Sequence, residues 1–212
     1  MTISKEENTQ KRKKKSPTSR RHNDKLTAIL RTAAELFSNQ GYEATSLDMI
    51  ADQLGMHKAT LYHYIKNKEQ ILHQCLIRSF DDIENVMKAV TDRSTPVIER
   101  LRLFAQHLVY AQNSDFGRCL VLVGTRPLEG SSYDDIRSFQ RRLDKTVRDL
   151  ITEGIADGSI KPCRPELFSA LFFGALNWVP RWYNPNGKLT LEDITDNFLN
   201  TLLFGISKKN QN

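Results

Sequence analysis

Basic side chains are concentrated at the amino-terminal end of this 212-residue chain. Residues 1–22 hold eight Lys and Arg residues against two Glu residues, and their net charge of +6 equals that of the whole chain. Such a cluster can neutralise the phosphates of a nucleic acid, or it can stay in solvent as a solubilising tail. Because the segment carries almost no large apolar side chain, we predict a disordered basic arm over residues 1–22.

A second group of polar side chains lies in the segment T-S-L-D-M-I-A-D-Q-L-G-M-H-K-A-T-L-Y-H-Y-I-K-N-K, residues 45–68. Its apolar residues are spaced as two short helices that meet at a turn through Gly55, which supplies the left-handed backbone that the turn requires. This spacing predicts a helix-turn-helix, whose second helix would enter a DNA major groove. The side chains of that helix that point outward are His57, Lys58, Ala59, Tyr62 and His63.

The segment resembles the DNA-binding domain of the TetR family of bacterial transcriptional regulators, over about residues 25–72. The resemblance implies a three-helix DNA-binding head, a helical ligand-binding domain, and a homodimer built mainly on the last two long helices. His57 departs from the family, in which Ser is more common. The residues that carry the resemblance are Phe37, Gly41, Thr45-Ser46, Ile50-Ala51, Gly55 and the run T-L-Y-H-Y-I-K-N-K.

The resemblance also implies which side chains contact an operator in double-stranded DNA. Base edges would be approached by Lys58, Ala59 and Tyr62. Phosphates would be held by Thr45, Thr60, His63, Tyr64 and Lys68. Tyr64 occupies an apolar position of the pattern, so it also fits the core. Residues 23–75 carry a net charge of −1, and we therefore expect the basic arm to add the charge that DNA binding needs.

A third set of candidate residues lies in F-G-A-L-N-W-V-P-R-W-Y-N-P-N-G, residues 173–187. It resembles a segment of the TetR regulators that respond to acyl-CoA thioesters in fatty-acid and steroid catabolism. A CoA thioester needs cations for its phosphates, an aromatic or apolar surface for adenine, and an apolar tunnel for its acyl group. The predicted ligand-binding residues are Asn177, Trp178, Arg181, Trp182, Arg141 and Arg118, with Arg142 and Arg126 as further cations.

A structural role also fits this segment, because large aromatic side chains at helical spacing usually pack a core. Trp178 and Trp182 would then pack a dimer helix, and Arg181 would pair with a carboxylate. Pro180 lacks a helix hydrogen bond and is expected to kink or end the helix near it.

Two apolar helices, residues 166–182 and 191–206, remain for dimerisation. Paired with the same helices of a second subunit they form a four-helix bundle, which sets the distance between the heads and requires a palindromic operator. The predicted interface residues are Phe168, Leu171, Phe172, Ala175, Ile194, Phe198 and Leu202.

Apolar residues recur with a period near 3.6 from residue 23 onward, which predicts an all-α fold. We divide the chain into the arm, a DNA-binding domain at residues 23–68, a ligand-binding and dimerisation domain at 69–207, and a polar tail at 208–212. Residues 120–123 resemble a strand but would have no partner, so a helix is expected. Three Thr/Ser–Asp pairs fit capping boxes, namely Thr45–Asp48, Ser132–Asp135 and Thr190–Asp193.

Three mutually distant cysteines predict neither a disulfide framework nor a zinc site, and no metal or other cofactor is expected. The longest apolar run is too short to span a membrane, and the basic amino terminus lacks a signal-peptide core, so we expect a cytoplasmic protein.

Three functions compete: a repressor released from its operator by a small effector, a helical enzyme acting on a CoA substrate, and a nucleoid-type DNA-coating protein without a ligand. No catalytic triad order, metal-ligand spacing or phosphate loop is found in the sequence, which argues against the enzyme. The long apolar helical region behind the head argues against the coating protein.

Overall fold

The computed structural model describes residues 17–206, and this range is helical without strands, which confirms the all-α prediction. The elements are α1 (Pro17–Gln40), α2 (Leu47–Gln53), α3 (Lys58–Tyr62), α4 (Lys68–Arg78), α5 (Asp81–Ala89), α6 (Val97–Gln112), α7 (Asp115–Leu122), α8 (Gly130–Ala156), α9 (Pro165–Trp182) and α10 (Leu191–Phe204). The segment 120–123 falls mostly in α7, which confirms the helical alternative. The polar tail at 208–212 lies outside the described residues.

Helices α1 to α3 form the head around a small apolar core. Ile50 and Leu61 are fully buried with the inner face of α1. Gly55 adopts the positive φ of 62° that the turn between α2 and α3 requires, as predicted. Ser46, not Thr45, caps α2, because the Ser46 Oγ accepts the Met49 N–H at 3.1 Å.

The amino-terminal boundary of the head differs from the prediction. Helix α1 begins at Pro17, so residues 17–22 are helical and not part of a disordered arm. Its first turns contact the head, since the His22 ring stacks on Tyr64 with 4.6 Å between centroids. Residues 1–16, the rest of the predicted arm, lie outside the described residues.

Helix α4 joins the head to the rest of the chain. On one side, Arg78 donates to the Thr27 hydroxyl of α1 at 2.9 Å. On the other side, the His73 Nε2 lies 3.2 Å from an Asp135 carboxylate oxygen of α8. The boundary predicted between residues 68 and 69 therefore falls at the start of a helix that packs against both parts.

Helix α6 lies at the centre of the second part and packs against α5, α7, α8, α9 and α10. The buried Arg100 of α6 donates to the carbonyls of Val90 (3.0 Å) and Thr95 (2.9 Å) and pairs with Glu153 of α8. These bonds fix the loop between α5 and α6 to α8.

Two local predictions about the later helices are confirmed and one is wrong. Thr190 and Asp193 form the complete capping box of α10. Helix α9 contains Pro180 and ends two residues after it, which is consistent with the lost hydrogen bond. Ser132 does not cap α8, because this helix already begins at Gly130.

Among the helices within residues 17–206, none combines the length and apolar character needed to cross a membrane. The three cysteines are free thiols, of which Cys75 and Cys119 are buried and Cys163 is exposed.

Candidate functional site

The exposed face of α3 carries most of the side chains that the sequence predicts for DNA contact. Lys58, Ala59, Tyr62 and His63 are exposed, and Thr60 is half-buried beside them. Tyr62 keeps 48% of its surface in solvent although it belongs to a short helix packed on the head. We call these five residues the α3 face.

Lys58 of the α3 face is held by an acidic partner on α2. Its ammonium lies 2.7 Å and 2.8 Å from the two carboxylate oxygens of Asp48. The hydrogen bond and the charge of Asp48 raise the pKa of Lys58. Both side chains are more than half exposed, so solvent and a polyanion can compete for this pair.

Two other predicted phosphate contacts are used inside the head. Thr45 is buried, and its hydroxyl donates to the Gly41 carbonyl at 2.9 Å. Lys68 donates to the carbonyls of Tyr42 (2.8 Å) and Thr45 (3.1 Å), and its ammonium lies 4.2 Å from the Tyr42 ring centroid. Both residues fix the loop after α1, and the buried Thr45 side chain does not fit the predicted phosphate contact.

A cavity of about 580 Å³ lies among α5, α6, α7, α8 and α9. Three of the six predicted ligand-binding residues line it, namely Asn177, Trp178 and Arg181 of α9. Trp182 and Arg141 are exposed but do not line this cavity, and Arg118 lies in a separate cleft beside Arg31 of α1. The structure therefore does not support a cavity contact from Trp182, Arg141 or Arg118.

The cavity lining combines buried apolar side chains with exposed cations. Ile83, Leu108 and Leu143 are buried. Arg137 of α8 and Arg181 of α9 are exposed, and we call this solvent-exposed part of the lining the entrance. The Arg181 guanidinium lies 5.4 Å from the Trp178 ring centroid. In the part of the chain that the structure describes, neither arginine takes part in an ion pair. Both cations are thus available to an anionic group at the cavity entrance.

Polar groups interrupt the apolar wall at two places. The Gln112 Nε2 donates to the Asn177 Oδ1 at 2.5 Å. Asp144 accepts from the Ser169 hydroxyl at 2.6 Å and pairs with Arg148 at 2.7 Å. The wall can therefore offer directed hydrogen bonds as well as apolar surface.

The outer sides of α9 and α10 form a separate apolar surface. Leu167, Leu171 and Trp178 keep 62%, 58% and 59% of their surface exposed. A groove of about 500 Å³ on this side is lined by residues that include the predicted interface positions Leu171, Ala175, Phe198 and Leu202. We call this surface the α9/α10 face.

The remaining interface predictions divide between the core and its edge. Phe172 and Ile194 are buried inside the chain, with 0% and 3% of their surface exposed. They pack the core and do not belong to the α9/α10 face, so these two predictions are corrected. Phe168 is half-buried, and its ring centroid lies 6.3 Å from that of Phe172.

Two family models match the chain. The model of bacterial regulatory proteins of the tetR family matches residues 29–75, and the model of the tetracyclin repressor-like C-terminal domain matches residues 94–206, more than half of the chain. The chain belongs to the TetR family. Membership confirms the resemblance seen in the sequence, and the two matches cover the head and the cavity-bearing part of this TetR-family regulator.

Similar proteins include repressors and a protein crystallised with a CoA thioester and operator DNA. The HTH-type transcriptional repressor KstR2 of Mycolicibacterium smegmatis is 28% identical over 193 residues, covering 85% of this chain and 89% of that protein. The structure of AibR in complex with isovaleryl coenzyme A and operator DNA is 31% identical with a TM-score of 0.75, covering 85% of this chain and 98% of that chain. The structure of KstR2 of Mycobacterium tuberculosis, at 24% identity and a TM-score of 0.79, shows the same fold.

The sequence reasoning misses several residues of the cavity wall. Gln112, Arg137 and Asp144 all line it. Gln112 follows Leu108 by one helical turn on the buried stripe of α6, and a polar residue at such a position is the signal that could have identified it. Arg137 shows no comparable signal, because an exposed arginine on a long helix is ordinary.

Proposed function

We propose that this TetR-family regulator is a homodimeric repressor that leaves a palindromic operator when an acyl-CoA thioester fills the cavity. The observation that carries the proposal is that Gly174 and Trp178 line both the cavity and the α9/α10 face. A ligand in the cavity would touch the same side chain that a second subunit would cover. The similarity to AibR, whose structure holds isovaleryl coenzyme A and operator DNA, supports this choice of ligand and target.

The proposed DNA contacts are those of the α3 face. Lys58, Ala59 and Tyr62 would read base edges in the major groove, and Thr60 and His63 would hold the backbone. Tyr64 is half-buried against His22 and would position α1 beside the groove. The basic residues before α1 would add non-specific attraction, since the head itself is not basic.

The proposed ligand contacts follow the polarity of the cavity. Arg137 and Arg181 would hold phosphates of CoA, and Trp178 would offer its ring to adenine. Arg141, one helical turn after Arg137 on α8, would add positive charge outside the entrance. The buried apolar side chains, such as Leu108, would surround the acyl group.

The proposed dimer uses the α9/α10 face of two copies. Contiguous exposed apolar side chains of this size mark an interaction surface, and a two-fold axis lets the same face cover itself. The heads would then reach half-sites about 34–36 Å apart, one turn of DNA. A ligand that shifts Trp178 would change the distance between the heads. This requires that the ligand binds one arrangement of the dimer more tightly than the other, by about 1–3 kcal/mol.

A regulator is favoured over a CoA-dependent enzyme because the similar proteins are transcriptional regulators. It is favoured over a DNA-coating protein because a cavity with a cationic entrance lies behind the head. Since its target would be chromosomal DNA of a bacterium, we propose that the protein works in the cytoplasm.

The test begins with selection of bound sequences from genomic DNA, which gives the operator. Release of that operator is then titrated with acyl-CoA thioesters of graded length, with the corresponding free acids, and with free CoA. We expect release by thioesters only, and weaker release for Arg181→Ala. Arg118→Ala is the matched control, because that cation lies away from the cavity. Indifference of DNA binding to every thioester would refute the proposal.

A further inference from the structure

Gln112, the last residue of α6, has an unusual environment for a polar side chain. Only 5% of its surface is exposed, and it lines the cavity beside the buried Leu108. Its Nε2 donates to Asn177, whereas its Oε1 is buried and has no hydrogen-bond partner within the described part of the chain. One end of this amide is therefore satisfied by the protein and the other is not.

A buried amide atom without a partner is rare in folded proteins, because its lost hydration is not replaced. The preceding residues of the same buried stripe, such as Leu108, are apolar, so Gln112 is a polar exception on this face of α6. A group that enters the cavity can supply the missing bond. A hydroxyl suits this amide well, because it can donate to an oxygen and accept from a nitrogen.

The charged residues of the cavity lining restrict the group further. Asp144 also lines the cavity, and its carboxylate is oriented by Ser169 and Arg148. A second carboxylate in this cavity would share it with the like charge of Asp144, whereas a neutral hydroxyl would not. The exposed cations, Arg137 and Arg181, lie at the entrance. They suit the phosphates of CoA rather than the end of the acyl group.

We infer that the effector is a hydroxyacyl-CoA, a thioester whose acyl group carries a neutral hydroxyl that bonds to the Gln112 amide. Gln112 is then a specificity-determining residue that separates hydroxylated from unsubstituted acyl groups. This inference rests on the proposed function and adds the chemical class of its ligand.

The experiment compares matched pairs of thioesters. Each unsubstituted acyl-CoA in a series of about four to eight carbons, chosen as small acyl groups for a pocket of ordinary ligand-binding size, is paired with its 2-, 3- and 4-hydroxy derivatives. Dissociation constants are measured by calorimetry, and operator release is measured in parallel. We expect at least one hydroxy derivative to bind about 5-fold or more tightly than its parent, the effect of supplying a bond to a buried polar group.

Two variants assign that preference to its residue. Gln112→Met keeps the length of the side chain but removes the amide, and we expect it to bind hydroxylated and unsubstituted thioesters equally. Gln106→Met is the matched control on the same helix, because Gln106 contacts Asp196 and does not line this cavity. It should keep the full preference. Thermal unfolding and operator binding without ligand show whether each variant is folded.

The outcomes separate this inference from the proposed function. If thioesters release the operator but no hydroxy derivative exceeds its parent, the inference is wrong and the proposed function stands. The inference is also wrong if Gln112→Met weakens every thioester equally, because the amide then contacts the common CoA portion. If no thioester binds at all, both fail. The comparison of hydroxylated with unsubstituted thioesters uses the wild-type protein alone, so this test of the inference does not depend on whether a variant folds.

Discussion

Replacing Asp48 by Asn is expected to tighten operator binding, because it frees a cation on the α3 face. Lys58 bonds to both carboxylate oxygens of Asp48, at 2.7 Å and 2.8 Å, and these bonds compete with a contact to DNA. Both side chains are more than half exposed, so the pair is weak and its removal should raise affinity by only about 1.5- to 5-fold. A freed Lys58 adds one cation to the DNA contact in the groove, which would steepen the salt dependence of log K by about 0.9.

The measurement is a fluorescence-anisotropy titration of labelled operator over a range of salt concentrations. Asp52→Asn is the matched control, since Asp52 is exposed on the same helix, whereas the ion pair of Lys58 is made with Asp48. It removes the same charge without freeing the lysine, and salt screens its longer-range effect on DNA. We therefore expect a smaller gain and an unchanged salt slope for the control.

Two results would contradict this reasoning. Weaker operator binding by Asp48→Asn, at an unchanged melting temperature, would mean that Asp48 orients Lys58 toward the bases. Equal gains from both Asn variants would mean that only net charge matters. Because Asp48 lies in the first turn of α2, where a negative charge favours the helix, binding is measured well below the melting temperature.

Three other predictions concern stability and reactivity. Arg100→Leu leaves buried acceptors unpaired and should lower the free energy of unfolding by about 3–5 kcal/mol. Circular dichroism should then show a melting temperature about 6–20 °C lower, and an unchanged melting curve would contradict this. Gly117→Ala should greatly reduce the yield of folded protein, because its Cβ would collide with the Ala111 carbonyl oxygen, and normal yield would show that α6 and α7 can separate. A thiol reagent should modify Cys163 alone in the native protein and all three cysteines after denaturation. The reason is that burial raises the pKa of Cys75 and raises the pKa of Cys119 to about 12. Labelling of the native protein beyond one equivalent would show that the core opens.

The helix-turn-helix could be predicted because its signals are local. Gly55 provides the positive φ of the turn, and the apolar spacing places Ile50 and Leu61 in one core. The sequence places the cap of α2 one residue too early, because Thr45 and Ser46 are both good caps. Only the folded head shows that the Thr45 hydroxyl is bonded to Gly41, which leaves Ser46 as the cap.

The cations of the cavity could not be selected from sequence alone. Arg118, Arg137 and Arg141 have the same chemistry, and only the packing of their helices places one at the cavity entrance. Helix α7 contacts α1, and Arg118 lies in the cleft beside that helix, away from the cavity. Arg141 follows Arg137 by one turn on α8 but does not line the cavity wall. A pattern with period 3.6 defines which face of a helix is apolar, but not what its polar residues meet.

The same limit applies to α9, which is apolar on more than one side. Its sequence does not distinguish apolar residues that fill the core from apolar residues that form the interface with a second subunit. For this reason the pattern predicts Phe172 in the interface beside Leu171. In the structure Phe172 faces inward and Leu171 outward. Trp178 lies between these two environments, on the cavity wall and on the α9/α10 face at once. If a ligand repositions this indole, it alters the surface that a second subunit covers. Trp178 and helix α9 are then sufficient to couple the effector to the operator, and no longer chain of contacts is needed.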